Sequence, residues 1–153
     1  MIQFQLNGTL TEAQVRSGTT LFDFLREKGF FSVKYGSDKG ETGADTVLVD
    51  GKIMNASLIL IHTLEGKYIE TVESFSHGQD IHPLQDAFIE EGAIQCGYCT
   101  PGMVLAIESL AREKENPTES DVKDVLAGVY CRCTGYVKPV IAATNYLTTK
   151  NAK

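Results

Sequence analysis

Ile2, Phe4 and Leu6 alternate with polar residues at the start of the chain, the two-residue period of a half-buried strand. Asn7-Gly8 is a hairpin turn signal, and the extended stretch after it, through Val15, supplies the return strand. The period then changes. Leu21, Phe22, Phe24 and Leu25 make a short amphipathic helix, with Thr19 or Thr20 as its cap and Gly29 as its stop. Strand patterns return at 45–49, before an Asp50-Gly51 turn, and at 67–72. A hairpin, one helix and further strands predict an open sheet wrapped on a helix over residues 1–75. Residues 74–79 are polar and predict a linker.

From residue 80 the pattern is helical. Pro83 opens a helix reaching Glu91, with Gly92 closing it. Thr100 is placed as the cap of a second helix, with Pro101 in its first turn and Val104, Ile107, Leu110 and Ala111 as its apolar stripe. Thr118 and Asp121 have the spacing of a capping box ahead of Val122, Val125 and Leu126, and Gly128 ends that helix. A last helix is expected over Lys138 to Leu147. The fold class is therefore α+β, with two small domains at 1–75 and 80–153.

Charge and composition narrow the function classes. A net charge of −6 over 153 residues, without a cluster of Lys and Arg, argues against a nucleic-acid surface. No run approaches the ~20 apolar residues of a membrane-spanning helix. The first residues lack the basic and apolar regions of a secretory signal, so the expected location is the cytoplasm.

The chemistry lies in four cysteines arranged as two close pairs, Cys96 with Cys99 and Cys131 with Cys133. In a reducing compartment two structural disulfides are the weaker reading, and Cys131-Arg132-Cys133 is too tight to pair with itself. Both pairs fall just before predicted helices, where unpaired N–H groups and the helix dipole favour thiolate. Four thiolates so placed can hold either a structural zinc or an iron-sulfur cluster. A second feature is an absence. Gly36 to Val47 has the frame of a plant-type ferredoxin loop, yet its three ligand spacings carry Ser37, Thr42 and Asp45.

The flanking residues shift the balance at the four-thiolate site. Gln95-Cys96-Gly97-Tyr98-Cys99-Thr100-Pro101-Gly102 and Cys131-Arg132-Cys133-Thr134-Gly135-Tyr136 resemble the C-terminal half of the iron-sulfur subunits of molybdenum hydroxylases, the xanthine dehydrogenase family. Asp50-Gly51-Lys52 and Asn55-Ala56-Ser57-Leu58 extend the resemblance into the first half. It implies a β-grasp ferredoxin-like domain followed by a four-helix domain, with a [2Fe-2S] cluster on Cys96, Cys99, Cys131 and Cys133. That cluster would stand near the pterin of a molybdenum cofactor carried by a large subunit, with the Gln95 side-chain amide and the Cys133 backbone N–H toward it.

The resemblance also implies the chain's role. Substrate is oxidised on the large subunit, electrons pass singly through the cluster, and an FAD-bearing subunit is the usual onward acceptor. No catalytic acid, base or nucleophile is expected in this chain. The competing reading is a non-redox adaptor with a structural four-cysteine zinc site. Thr100 is read as a cap, Tyr98 and Tyr136 as packing residues, Arg132 as a loop or subunit contact, and His62, His77 and His82 as ordinary histidines.

In that family a second cluster occupies the first domain, at the positions of Ser37, Thr42, Asp45 and Ser57. Hydroxyls and one carboxylate are poor substitutes for four thiolates, so no cluster is expected there. The loop is expected to survive as a fold and docking element. A hard-cation site, or a loop that is engineered or decaying, are the alternatives. Electrons would then leave the remaining cluster for an acceptor docking elsewhere, or for a centre brought close by a rearranged partner.

Overall fold

The computed structural model describes residues 1–76, 78 and 80–151. The first half is a five-stranded sheet of order β2-β1-β5-β3-β4, formed by β1 (Ile2–Leu6), β2 (Thr9–Ala13), β3 (Thr46–Val49), β4 (Lys52–Asn55) and β5 (Tyr68–Glu70). β1 and β5 are parallel, while the other neighbours are antiparallel. Both two-residue turns are left-handed, with φ of 50° and 80° at Asn7-Gly8 and 51° and 78° at Asp50-Gly51. Such turns match the twist of the strands they join.

Helix α1 (Leu21–Glu27) starts on Thr20, whose hydroxyl accepts from the Asp23 N–H. Leu21, Phe24 and Leu25 pack onto the sheet with Phe4, Leu6, Val47, Val49 and Ile69. The second half contains α2 (Pro83–Glu90), α3 (Thr100–Glu113), α4 (Glu119–Leu126) and α5 (Val137–Asn151). Thr118 and Asp121 form the expected capping box. A second capping box, on His82 and Gln85, gives His82 a role the sequence did not reveal. No helix among the described residues is long and apolar enough to cross a membrane.

Three expectations change. The expected linker is structured at its start, because Val72–Phe75 forms a 3₁₀ turn that buries Phe75 against the helices; His77 and Gln79 lie outside the described residues. The final helix runs from Val137 to Asn151 rather than over 138–147. Thr100 is not the cap of α3. Cys99 occupies that position, with no side-chain cap hydrogen bond.

The two cores meet through β3. All four of its residues are buried, with Val47 and Val49 in the α1 core and Leu48 in the helical core beside Met103 and Ile107. Period-two alternation thus serves both cores from one strand. Arg112 of α3 reinforces the junction by donating to both Glu70 oxygens, at 2.7 and 3.1 Å, and to Glu108 at 3.1 Å. The 7%-exposed Glu108 side chain also accepts from Tyr146 at 2.7 Å and Lys150 at 3.3 Å.

Burial pushes the Glu108 carboxyl up, but the Tyr146 hydroxyl, Lys150 and Arg112 outweigh it and hold the group below its ordinary 4.5. The stability this gives is fully present above pH 4.5 and is lost as pH falls through the lower folded-state value. Glu108→Gln is expected to cost about 2 kcal/mol at neutral pH and to flatten the acid limb below pH 4.5. Urea unfolding across that range checks both outcomes.

Candidate metal centre

The four cysteines are free thiols on two loops that meet. Cys99 caps α3, and Gly97, at φ +80°, makes the turn between it and Cys96. Cys131 and Cys133 precede α5, where Gly135 and Tyr136 are both left-handed, at φ 61° and 66°. A non-glycine residue in this region needs support. Tyr136 has it from both ends: its N–H donates to Thr134 Oγ1 at 3.2 Å, and its hydroxyl accepts from the Cys131 N–H at 2.8 Å. The same hydroxyl donates to the Val129 carbonyl at 3.2 Å. Tyr136 therefore shapes the cysteine loop rather than only packing.

The thiols associate two and two, and each pair takes one residue from each loop. Cys99 and Cys131 form a buried inner pair, while Cys96 and Cys133 form an exposed outer pair. Burial pushes the Cys99 thiol up to about 12, helped by its hydrogen bond to Cys131 and the nearby Cys131 and Cys96 sulfurs. Burial acts on Cys131 too, but donors from Thr134, the Cys133 N–H and Cys99 prevail and set it below the ordinary value. Thr134 Oγ1 stands 3.1 Å from its sulfur. In the outer pair, the hydrogen bond to Cys96 is the chief cause that raises Cys133. Among the described residues, no three His, Cys, Asp or Glu side chains meet closely enough to hold one ion.

This donor set fits a binuclear iron-sulfur centre, in which each iron takes two thiolates and two sulfides. The N-termini of α3 and α5 add a favourable field for the anionic centre. Metal binding requires the thiols as thiolates and so releases their protons. Gln95 is exposed next to Cys96, at the outer pair, and Arg132 is also exposed. Tyr98 is 47% exposed and donates its hydroxyl to the Tyr35 carbonyl, so it joins the cysteine loop to the first half instead of packing inside.

The loop without cysteines is closed on itself. Ser37 donates to Glu41 and accepts from the Lys39 N–H, while Thr42 Oγ1 accepts from the Ala44 N–H. Asp45 accepts from the Ser57 N–H at 2.7 Å and from Asn55 Nδ2 at 3.0 Å. Thr42 fills the loop interior so tightly that a Cβ at Gly36 would stand 1.8 Å from its hydroxyl. Ser57 Oγ is buried with no hydrogen-bond partner among the described residues. Three hydroxyls and one carboxylate, with Ser37, Thr42 and Asp45 hydrogen-bonded within the loop and its neighbouring segment, do not fit an iron-sulfur cluster.

Comparison with known proteins agrees with this geometry. A family model described as a [2Fe-2S] binding domain matches residues 71–144. The xanthine dehydrogenase iron-sulfur-binding subunit of Escherichia coli O157:H7 is 43% identical over 137 residues, covering 88% of this chain and 86% of that one. The nicotinate dehydrogenase small FeS subunit of Eubacterium barkeri is 37% identical over 152 residues, covering 99% and 96%. The crystal structure of quinoline 2-oxidoreductase from Pseudomonas putida 86 superposes with a TM-score of 0.92 at 37% identity, over 99% of this chain and 94% of the matched chain.

The loop geometry gives one direct test. Tyr136→Phe leaves the Cys131 N–H and Val129 carbonyl without the hydroxyl between them. A loss of about 1–2 kcal/mol is expected in chemical denaturation, with the helical circular dichroism unchanged.

Proposed function

Because the chain belongs to the family of small iron-sulfur subunits of molybdenum hydroxylases, we propose that its four cysteines hold one [2Fe-2S] cluster and that it is the electron-transfer subunit of such an enzyme. The observation that carries this reading is the pairing of Cys96 with Cys133 and Cys99 with Cys131, two thiols for each of two irons. When bound, the cluster supplies a centre that takes up and releases single electrons. The chain's own residues do the holding. Tyr136 and Thr134 set the Cys131 loop, α3 and α5 present their N-termini, and no catalytic acid, base or nucleophile is assigned among the described residues.

The large subunit of such an enzyme carries the molybdenum cofactor, and an FAD-bearing subunit is the usual onward partner. The exposed outer pair is the side suited to the large subunit, with the Gln95 amide and the Cys133 backbone N–H as the groups offered to the pterin. A cytoplasmic setting accords with four thiols free of disulfides. Residues 1–75 and 80–153 are proposed as the two domains, on the strength of their separate cores. The first carries no cluster, since its loop is closed by Thr42 and Asp45. Electrons must then leave the single centre without the family's second relay station.

Metal analysis of the anaerobically purified complex tests the reading. About two irons and two sulfides per copy of this chain are expected, with the optical and EPR spectra of one [2Fe-2S] centre. About one zinc and no colour overturns the cluster. About four irons overturns the single-cluster claim.

A further inference from the structure

We propose that Asp45 is a positioning residue for the four-cysteine centre, holding the ligand-less loop in the shape that fixes the two chain segments behind the inner thiol pair. The inference rests on the cluster reading above. Asp45 is 1% exposed, and its two carboxylate oxygens and its carbonyl tie it to Asn55, Ser57 and Ala56. These bonds close the chain from 45 to 57 around the carboxylate.

The other side of the same loop faces the helices. Gly43, at φ +64°, accepts from the Thr46 hydroxyl at 2.6 Å. Its Cα lies so close to the second half that an added Cβ would stand 2.1 Å from the Gly128 carbonyl oxygen. A Cβ on Gly102 would stand 2.7 Å from the Gly43 oxygen. The Thr42 carbonyl accepts from the Tyr130 N–H at 2.7 Å. Tyr130 directly precedes Cys131, and Gly102 is in the first turn of α3, which Cys99 caps.

The loop therefore bears on both chain segments that carry the inner pair, through rigid backbone contacts without flexible side chains between. Asp45 touches no cysteine itself. It acts through the loop, as outer residues orient the direct ligands of a metal site. Asp45, which stands at one of the absent ligand positions, thus braces the loop behind the inner thiol pair.

The test uses the assembled, cluster-loaded complex carrying Asp45→Ala, with Asp45→Asn beside it. Asn keeps one acceptor oxygen of similar shape, so it serves as the partial rescue. Iron loss from the Ala variant to a chelator is expected to be about tenfold faster than from wild type, with displaced EPR g values of the reduced cluster and the Asn variant between. Wild-type g values and iron-loss rate in the Ala variant, even with a lower melting temperature, overturn the proposal and leave Asp45 as a fold residue only. If the Ala variant does not accumulate, Thr46→Val removes the hydroxyl bond to Gly43 and is read in the same way. A wild-type complex without iron overturns the cluster reading instead, so the two failures are distinct.

Discussion

The structure depends on a close backbone contact at Gly43, Gly102 and Gly128. The missing side chains of Gly43 and Gly102 let the loop at 42–46, the start of α3 and the Gly128 carbonyl approach to distances that a Cβ at either position would forbid. With the Thr42 carbonyl on the Tyr130 N–H, this contact sets where the sheet stands against the helices. β3 then has a helical core to fill on one face and an α1 core on the other. The Arg112 clamp on Glu70 and Glu108 closes the far end of the same junction. A Cβ at Gly43 or Gly102 would stand 2.1 or 2.7 Å from a backbone oxygen, so the backbone at the contact would have to shift.

The cysteine centre inherits its geometry from that junction. Its inner pair lies over the contact and is buried, and its outer pair faces away and is exposed. Burial makes Cys99 the weaker acid, while hydrogen bonds from Thr134, the Cys133 N–H and Cys99 outweigh burial at Cys131 and make it the stronger one. The two sulfurs of the inner pair thus differ from one another. Backbone N–H groups, the Thr134 hydroxyl and two helix N-termini supply the stabilising field, without a cationic side chain among the contacts named.

Much of this was legible in the sequence because local chemistry and tertiary role coincide. Asn7-Gly8 and the Thr118 capping box each act over a few residues, so their residues announce them, whereas the thiols associate between two separate loops. β4 was less visible, since Lys52 to Asn55 lies mostly exposed on an edge and shows no apolar alternation. The role of Tyr136 was hidden for a different reason: its hydroxyl folds back onto Cys131, which no periodicity encodes. Thr100 looked like a cap by residue type, but the chain enters α3 one residue earlier, where the thiol is needed for another purpose. Likewise the close approach at Gly43 and Gly102 arises where segments distant in sequence converge, which the residues beside each glycine do not encode.

The division into a covered and an open sulfur pair also bears on biogenesis. The protein's own chain lies behind Cys99 and Cys131, so iron and sulfide have their approach past Cys96 and Cys133. A large subunit seated on that open side would close the approach. On the proposed reading, a cluster that enters by this side would have to be in place before the large subunit seats.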